Sequence, residues 1–347
     1  MKTCLICFSS ILLFALMLIL PADTLSGAQT GLLLWFQTVL PTLLPAMILS
    51  DFLIRIQADR YLNRIFARPF SLLFGVQKSS AYAVLVGFLC GYPMGAKTSA
   101  SLLSEGRICQ DEASYLLAFC NQPSPMFLIG FLCLTLLKEQ GGISLAAPIL
   151  AGVYGSAVFI SFLYRAMRRL NRHMLRVTSE DPPPVSPGRH PVCQKTVSPG
   201  VHEKTAPPLR AASLQKTTNP SPLTLLETSM MTSFEVMVKI GGYMMLFSVL
   251  ETFLMRVPIP VSLRGVAMGF VEMTTGSRQI AVTLPYPWAA AFGCGAAAFG
   301  GLSGLAQTAN VLQDSGLSVR RYFLWKLLQE GLAVILVIII LCFPDGF

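Results

Sequence analysis

The sequence is poor in charged residues. Asp, Glu, Lys and Arg make up only 12% of its 347 residues, while 53% are hydrophobic. A soluble domain carries about 25% charged residues, so a hydrated surface of ordinary extent is missing here. This composition excludes a typical soluble protein and predicts that a lipid bilayer surrounds much of the chain.

Histidine is also scarce, and its placement excludes several kinds of chemistry. His173, His190 and His202 are the only histidines, and all three lie in one basic stretch outside the apolar segments. No apolar segment therefore supplies an imidazole as a general base or as a zinc ligand. Cys4 and Cys7 form a CxxC pair without a second pair, which is more typical of a hydrophobic helix than of a metal site. We therefore expect no catalytic residue, no metal and no cofactor, and a protein that is not an enzyme.

The net charge of +9 is concentrated in one segment. Between Arg165 and Pro222, ten Lys and Arg residues face three acids, giving +7, and ten of the 23 prolines lie between Pro182 and Pro222. This composition is typical of an extended linker. The charge therefore predicts a cytoplasmic connection between two nearly neutral halves, and no nucleic-acid partner.

Four parts follow from this distribution. Residues 1–30 are predicted to be an N-terminal transmembrane helix or signal anchor, with a retained helix favoured over a cleaved signal peptide because many apolar segments follow. Residues 31–165 form a first membrane repeat, 166–222 the basic proline-rich linker, and 223–347 a second membrane repeat.

Topology predicts a re-entrant hairpin in the first repeat. The basic clusters at 55–68 and 165–176 should both be cytoplasmic, so an even number of crossings must separate them. Segments 123–137 and 143–164 supply two crossings, and a third at 81–96 would break the parity. Segment 81–96 is therefore predicted to turn back near Gly91–Gly95, where buried surroundings would satisfy its irregular backbone.

The two halves resemble each other. A shift of about 210 residues aligns Gly91–Leu102 with Gly301–Leu312. The two halves would then run in opposite directions through the membrane, as in many secondary transporters, whose interrupted helices mark the substrate site. The predicted fold class is therefore an all-α polytopic membrane protein with two inverted repeats, each with a broken or re-entrant helical hairpin. Arg320, Arg321 and Lys326 would lie near the outer face in this topology, which opposes the charge rule.

Polar residues in these interrupted segments predict a substrate site. A lysine ammonium at the tip of a broken membrane helix, Lys97, is costly and points to function, although a long side chain can also reach the interface. Asn121, Gln122 and Ser124 precede a helix whose N-terminus would attract an anion, although a polar break at the surface is an alternative. The predicted substrate-binding residues are Gly91, Tyr92, Gly95, Lys97, Thr98, Asn121, Gln122, Ser124, Ser303, Gln307 and Thr308.

Three carboxylates are candidates for ion coupling. Asp51, Glu251 and Glu272 lie within or beside the interrupted hydrophobic segments. Charged side chains inside a membrane commonly mark ion pathways. Their positions near helix ends, however, favour solvated charges over a coupling role.

At these residues the chain resembles a family of sporulation integral membrane proteins, the YlbJ type, which carry nucleoside-recognition (Gate) domains. The resemblance rests on Gly91–Thr98, Glu105–Phe119, Asn121–Phe127, Ile240–Tyr243 and Phe299–Gln307, in that order. It implies a multi-pass protein of the cell membrane or outer forespore membrane of a spore-forming bacterium. It further implies transport of dipicolinic acid during spore formation. A lysine with two helix N-termini would suit the two carboxylates of dipicolinate, and Tyr92 or Phe127 could stack on its ring.

Two other functions are open at this point. The Gate-domain relation is compatible with a nucleoside or nucleobase transporter, and the basic linker with a membrane scaffold that transports nothing. The expected partners are a small organic anion (dipicolinate) and the lipid bilayer. A homo-oligomer, or an assembly with other sporulation membrane proteins, is left open.

Overall fold

A computed structural model describes residues 2–56, 58–178 and 221–343, and within these ranges the chain is helical and contains no β-strand. The predicted all-α polytopic class is confirmed. The helices before the linker are α1 Lys2–Ile19, α2 Pro21–Leu34, α3 Leu40–Arg55, α4 Asp59–Phe74, α5 Ala81–Leu89, α6 Met94–Ser104, α7 Gln110–Phe119 and α8 Ala146–Thr178. The helices after it are α9 Pro222–Leu254, α10 Val261–Val271, α11 Met273–Thr283, α12 Trp288–Phe299, α13 Gly301–Val311 and α14 Val319–Cys342. Two π-helical segments, Trp35–Val39 and Phe127–Leu136, and short 3₁₀ turns complete the path.

Several stretches have the length and composition of membrane spans. A bilayer core of ~30 Å requires about 20 apolar helical residues. Four stretches in the described part of the chain meet this requirement, and two further pairs of helices, each bent by 107°, bring the number to six if each pair is one span. The four are Gly142–Leu170, Pro222–Leu254, Trp288–Val311 and Val319–Cys342.

The segment predicted to be re-entrant is a pair of short helices. Helix α5 has 9 residues and α6 has 11, so neither is long enough to cross a bilayer by itself. Helices α4 and α5 together form one of the two bent pairs counted above. The turn between them contains Gly91, which has a φ of +86° that an L residue rarely adopts. The chain therefore breaks where charge counting predicted a break.

A second hairpin lies in the second half, at a different place from the one that the sequence alignment indicated. Helices α10 and α11 have 11 residues each, meet at Glu272, and pack so closely that Gly276 lies against the backbone of Gly269. Helices α12 and α13, by contrast, continue each other through Gly300 as one stretch of 24 residues. The alignment of Gly91 with Gly301 is therefore wrong, because it matches a hairpin to a broken helix.

The order of elements gives the corrected correspondence. A hairpin, a broken helix and a long helix follow one another in both halves. In the first half these are α5–α6, α7 with the π-helix at 127–136, and α8. In the second half they are α10–α11, α12–α13, and α14. The matching breaks are about 180 residues apart. Single-residue identities of Gly and Ala did not reveal this register, because these residues are common in all such helices.

Small residues allow the long helices to pack closely. Ten of the twelve residues of α12 are buried, and most of them are Ala or Gly. Helix α12 packs against α14 and α8, with Cys294 and Ala333 in the same buried cluster. This close packing of helices through small side chains is what holds membrane bundles together.

The linker is only partly described. Helix α8 continues to Thr178, beyond the boundary at 165 that composition indicated. Helix α9 begins at Pro222, where the Ser221 hydroxyl caps it by accepting the Thr224 N–H at 3.2 Å. Most of the predicted linker, residues 179–220, lies outside the described residues, so its extended character stays a prediction.

Candidate functional site

The first hairpin is fitted against the break in the first broken helix. Gly87 of α5 and Gly95 of α6 both face the carbonyl of Cys120, and neither position has room for a Cβ atom. The glycine spacing therefore serves close backbone packing, and Gly95 of the predicted substrate site has this structural role. At the tip, Gly91 lies against Ser124.

The break after α7 is held by one buried amide. The Asn121 side chain is fully buried; its Oδ1 accepts the Ala96 N–H at 3.3 Å, and its Nδ2 donates to Thr308 Oγ1 at 3.1 Å and to the Tyr322 hydroxyl at 2.8 Å. These partners lie on α6, α13 and α14. A single residue thus joins the first hairpin to the second repeat.

A buried lysine lies in the same layer. Lys326 of α14 is 1% exposed, and its Nζ donates to the Asn121 carbonyl at 3.0 Å and to Gln329 Oε1 at 2.7 Å. The Nζ also lies 5.0 Å from the centroid of the Tyr92 ring, a cation–π geometry. No ion pair joins Lys326 to a carboxylate in the described ranges.

Two glutamines complete this network. Gln122 and Gln329 exchange hydrogen bonds through their side-chain amides, with Gln329 Nε2 donating to Gln122 Oε1 at 2.8 Å. Gln329 Nε2 also contacts the Val153 carbonyl of α8 at 3.2 Å. A buried polar network in which each member has a partner fixes one arrangement of the helices. It holds the ammonium of Lys326 directly behind Tyr92.

The second hairpin ends on a buried carboxylate. Glu272 is 1% exposed and caps α11, because its Oε2 accepts the N–H groups of Thr274 and Thr275, each at 2.8 Å. Its Oε1 accepts the hydroxyl of Thr274 at 3.1 Å and that of Ser303 at 3.4 Å. Gly301, just after the break between α12 and α13, lies against the backbone of Glu272. The second hairpin tip thus meets the second broken helix, as in the first half.

A second carboxylate lies next to this tip. Glu251 of α9 is 3% exposed, and its Oε2 contacts the hydroxyl of Thr275, which also lies 3.0 Å from Glu272 Oε2. The expectation that Glu251 and Glu272 are solvated charges is therefore wrong. The expectation of a solvated charge fits Asp51 better, because this residue is partly exposed and its Oδ2 lies 2.6 Å from Arg55 Nε.

A cavity lies where both hairpin tips and both broken helices meet. Its empty space, part of it open to solvent, is about 460 Å³. The lining residues are Val39, Leu43, Gly91, Tyr92, Pro123, Ser124, Phe127, Ile240, Met244, Glu272, Met273, Thr274 and Gln307. Apolar walls with a few convergent polar groups are typical of small-molecule sites, and convergence of broken helices is typical of transporter sites.

The predicted site residues divide into three groups. Gly91, Tyr92, Ser124 and Gln307 line the cavity, as does Phe127, one of the two aromatic candidates for stacking. Just outside it lie the residues of the buried network and of the second hairpin's contacts: Asn121, Gln122, Thr308 and Ser303. The remaining members, Gly95, Lys97 and Thr98, do not line the cavity.

Lys97 is the clearest difference between sequence and structure. Its Nζ points towards α3, 3.9 Å from Asp51 Oδ1, and makes no hydrogen bond within the described residues. The cation behind the cavity is Lys326 instead. The sequence did contain a signal, because Lys326 opposes the charge rule if it is taken as a loop residue. A lysine that opposes the positive-inside rule and lies next to a long apolar segment is a candidate for a buried position inside the helix bundle.

The chain is similar to one integral membrane protein over almost its whole length. It is 25% identical over 346 residues to sporulation integral membrane protein YlbJ of Bacillus subtilis (strain 168), covering 92% of this chain and 78% of that protein. No protein-family model matches the chain, and no solved structure matches it. The resemblance inferred from the hairpin and broken-helix motifs is thus confirmed, and the chain is a multi-pass integral membrane protein similar to the sporulation protein YlbJ.

Proposed function

We propose that this protein transports a small organic anion, dipicolinate, across the outer forespore membrane of a spore-forming bacterium during sporulation. The observation that carries the proposal is the cavity between two hairpin tips and two broken helices, with the buried amine of Lys326 behind it. Alternating access in repeat-built transporters exposes such a central site to one side at a time. No enzymatic step is part of the proposal.

The chemistry of the cavity suits a flat dianion. Tyr92 and Phe127 supply aromatic surface for a pyridine ring. The helix that leads into the π-helical segment begins beside Ser124, whose hydroxyl accepts the Phe127 N–H at 3.2 Å, and the positive end of its dipole faces the same space and favours a carboxylate. Lys326 is held behind Tyr92 and forms no ion pair in the described ranges, with Glu330 as the nearby carboxylate that interacts with its charge. As an ammonium it adds long-range attraction for negative charge.

One observation favours a second candidate. None of the lining residues is Lys or Arg, and Glu272 is among them. A neutral ligand such as a nucleoside, stacked between Tyr92 and Phe127, would need no cation in direct contact. Nucleoside transport is therefore the function that the experiment must separate from dipicolinate transport.

Uptake by proteoliposomes tests the proposal. Purified protein should accumulate labelled dipicolinate above the level of protein-free liposomes, and unlabelled dipicolinate should compete while uridine and adenosine should not. Uptake of a labelled nucleoside instead of dipicolinate would establish the second candidate. Absence of flux for either solute, with protein that remains monodisperse and correctly inserted, would contradict transport and favour a scaffold that acts through the basic linker.

A further inference from the structure

The contact between Glu251, Thr275 and Glu272 constrains where protons lie. Thr275 Oγ1 contacts Glu251 Oε2 and lies 3.0 Å from Glu272 Oε2. A threonine hydroxyl has one proton, so it can donate to only one of the two oxygens. A proton on one of the two carboxyl groups lets both contacts be hydrogen bonds. The arrangement therefore suits a pair of glutamates that together hold one proton.

The remaining hydrogen bonds indicate which glutamate holds the proton. Glu272 accepts two backbone N–H groups and two further hydroxyls, of Thr274 and Ser303, and these four donors favour its carboxylate form. Glu251 accepts no such bonds, and its Oε1 has no partner among the described residues although the side chain is 3% exposed. The arrangement is thus a chain from the Glu251 carboxyl to the Thr275 hydroxyl to the Glu272 carboxylate.

The surrounding charged groups do not neutralise this pair. In the described part of the chain, no ion pair involves Glu251 or Glu272. The other titratable groups on the helices packed against them bind other partners or are exposed. Three acids form ion pairs with other residues (Asp23 with Arg256, Asp51 with Arg55, Glu235 with Lys239), Arg264 donates to the Val257 and Ile259 carbonyls, and Cys294 donates to the Ile149 carbonyl. Arg278 and Glu227 are exposed, and Tyr243 and Cys133 make no bond to either glutamate.

The position of the pair gives it access to the cavity. Glu272 lines the cavity, whereas Glu251 lies beyond Thr275 on α9 and does not. In the state that precedes this arrangement, Glu251 is a carboxylate that accepts the Thr275 hydroxyl. A proton that enters from the cavity binds Glu272 Oε2, the Thr275 proton passes to Glu251 Oε2, and the Thr275 oxygen takes up the proton from Glu272 Oε2. No atom other than hydrogen moves, and the net result is one proton transferred from the cavity to Glu251.

We infer that Glu251, Thr275 and Glu272 form a proton-binding relay that couples proton movement to substrate movement through the adjacent cavity. Buried ionisable side chains inside membrane bundles are typical parts of proton pathways. A proton on Glu251 also lowers the total negative charge of the pair beside the cavity, so that a bound proton and a bound organic anion favour each other. This coupling rests on the proposed transport function, but the proton-binding part of it does not.

Proton binding is tested without transport. Infrared difference spectroscopy of the purified protein should show the C=O band of a protonated carboxyl near neutral pH. The band should be lost in Glu251→Gln and kept in Glu227→Gln, an exposed glutamate on the same helix. An unchanged band in a folded Glu251→Gln variant would overturn the assignment. Thr275→Val, which removes the hydroxyl but keeps the shape, should shift the band, whereas Thr275→Ser should preserve it.

Coupling is tested in proteoliposomes. Wild-type uptake of dipicolinate should rise when the outside is acidic and fall when a protonophore is added, without dependence on Na⁺. Glu251→Gln should lose about tenfold in gradient-driven uptake, within the usual range of coupling between two ligands, and should keep exchange of dipicolinate down its own gradient. Uptake that is insensitive to the protonophore, or driven by Na⁺, would overturn coupling. Absence of all flux in the wild type would instead contradict the proposed function, and the infrared result would still decide proton binding.

Discussion

The hairpin of the first repeat and the hairpin of the second reach one cavity with different chemistry. The α5–α6 tip is uncharged, formed by Gly91 and Tyr92, and a buried ammonium lies behind its aromatic ring. The α10–α11 tip presents a carboxylate, Glu272, that hydrogen bonds surround. The two hairpin tips thus give the cavity one aromatic side with a lysine behind it and one acidic side.

The cationic side also depends on residues of both repeats. Lys326 belongs to the second repeat by sequence, yet its ammonium binds the Asn121 carbonyl of the first. Each hairpin is fitted against the broken helix of its own half, and the Asn121 side chain adds hydrogen bonds that cross between the halves. The close fit of Gly87 against Cys120 and the Asn121 hydrogen bonds can therefore be perturbed separately.

The largest expected effect concerns the cation. Lys326→Met should lower dipicolinate uptake by about thirtyfold, because a unit charge at a distance of about 8 Å is worth about 2 kcal/mol at an effective dielectric constant of about 20. Lys138→Met, an exposed lysine, is the control and should transport normally. The sequence alone assigns this role to Lys97. Equal uptake by wild type and Lys326→Met, with loss in Lys97→Met, would reverse the structural assignment.

The second prediction concerns packing within the first repeat. Gly87→Ala should lower the free energy of unfolding by about 1 to 3 kcal/mol, the usual cost of overpacking, because the added Cβ meets the Cys120 carbonyl. Gly242→Ala is the matched control on α9, where a Cβ meets nothing within 4 Å. Thermal unfolding in detergent should separate the two variants. A Gly87→Ala variant as stable as Gly242→Ala would contradict the close fit of hairpin and broken helix.

The third prediction concerns the bonds between repeats. Asn121→Ala should destabilise the protein by about 1 to 2 kcal/mol, the range for interhelical hydrogen bonds in membranes. Its partners Thr308 and Tyr322 would stay buried without it. Asn310→Ala, on the same helix as Thr308 but only partly buried, should change unfolding little. If both variants have the same free energy of unfolding, the hydrogen bonds of Asn121 do not measurably stabilise the contact between the two halves.

Much of the fold follows from the sequence, and less of the site does. Apolar lengths and charge placement predicted a multi-pass helical protein and the hairpin near Gly91, because the bilayer imposes those lengths and charges directly. Lys326 and Glu272 were misjudged, because burial of an ionisable group depends on which helices pack around it. No local pattern records that Asn121 and Lys326, about 200 residues apart, share a layer.

The smallest expected effect tests the acidic side of the comparison. Ser303 of α13 donates to Glu272 Oε1 across a long bond of 3.4 Å, so Ser303→Ala removes one of several donors to that carboxylate. Loss of one such bond costs about 0.5 to 1.5 kcal/mol, which corresponds to a change of roughly twofold to tenfold in an equilibrium.

If Glu272 acts in its carboxylate form, the variant should make protonation of the pair easier. The infrared titration of the carboxyl band should then move to higher pH in Ser303→Ala and stay in place in Ser315→Ala, whose hydroxyl binds the Leu312 carbonyl at a distance from the cavity. A titration that moves to lower pH would show that the proton resides on Glu272 rather than on Glu251, and that the two hairpins differ less in charge than their hydrogen bonds indicate.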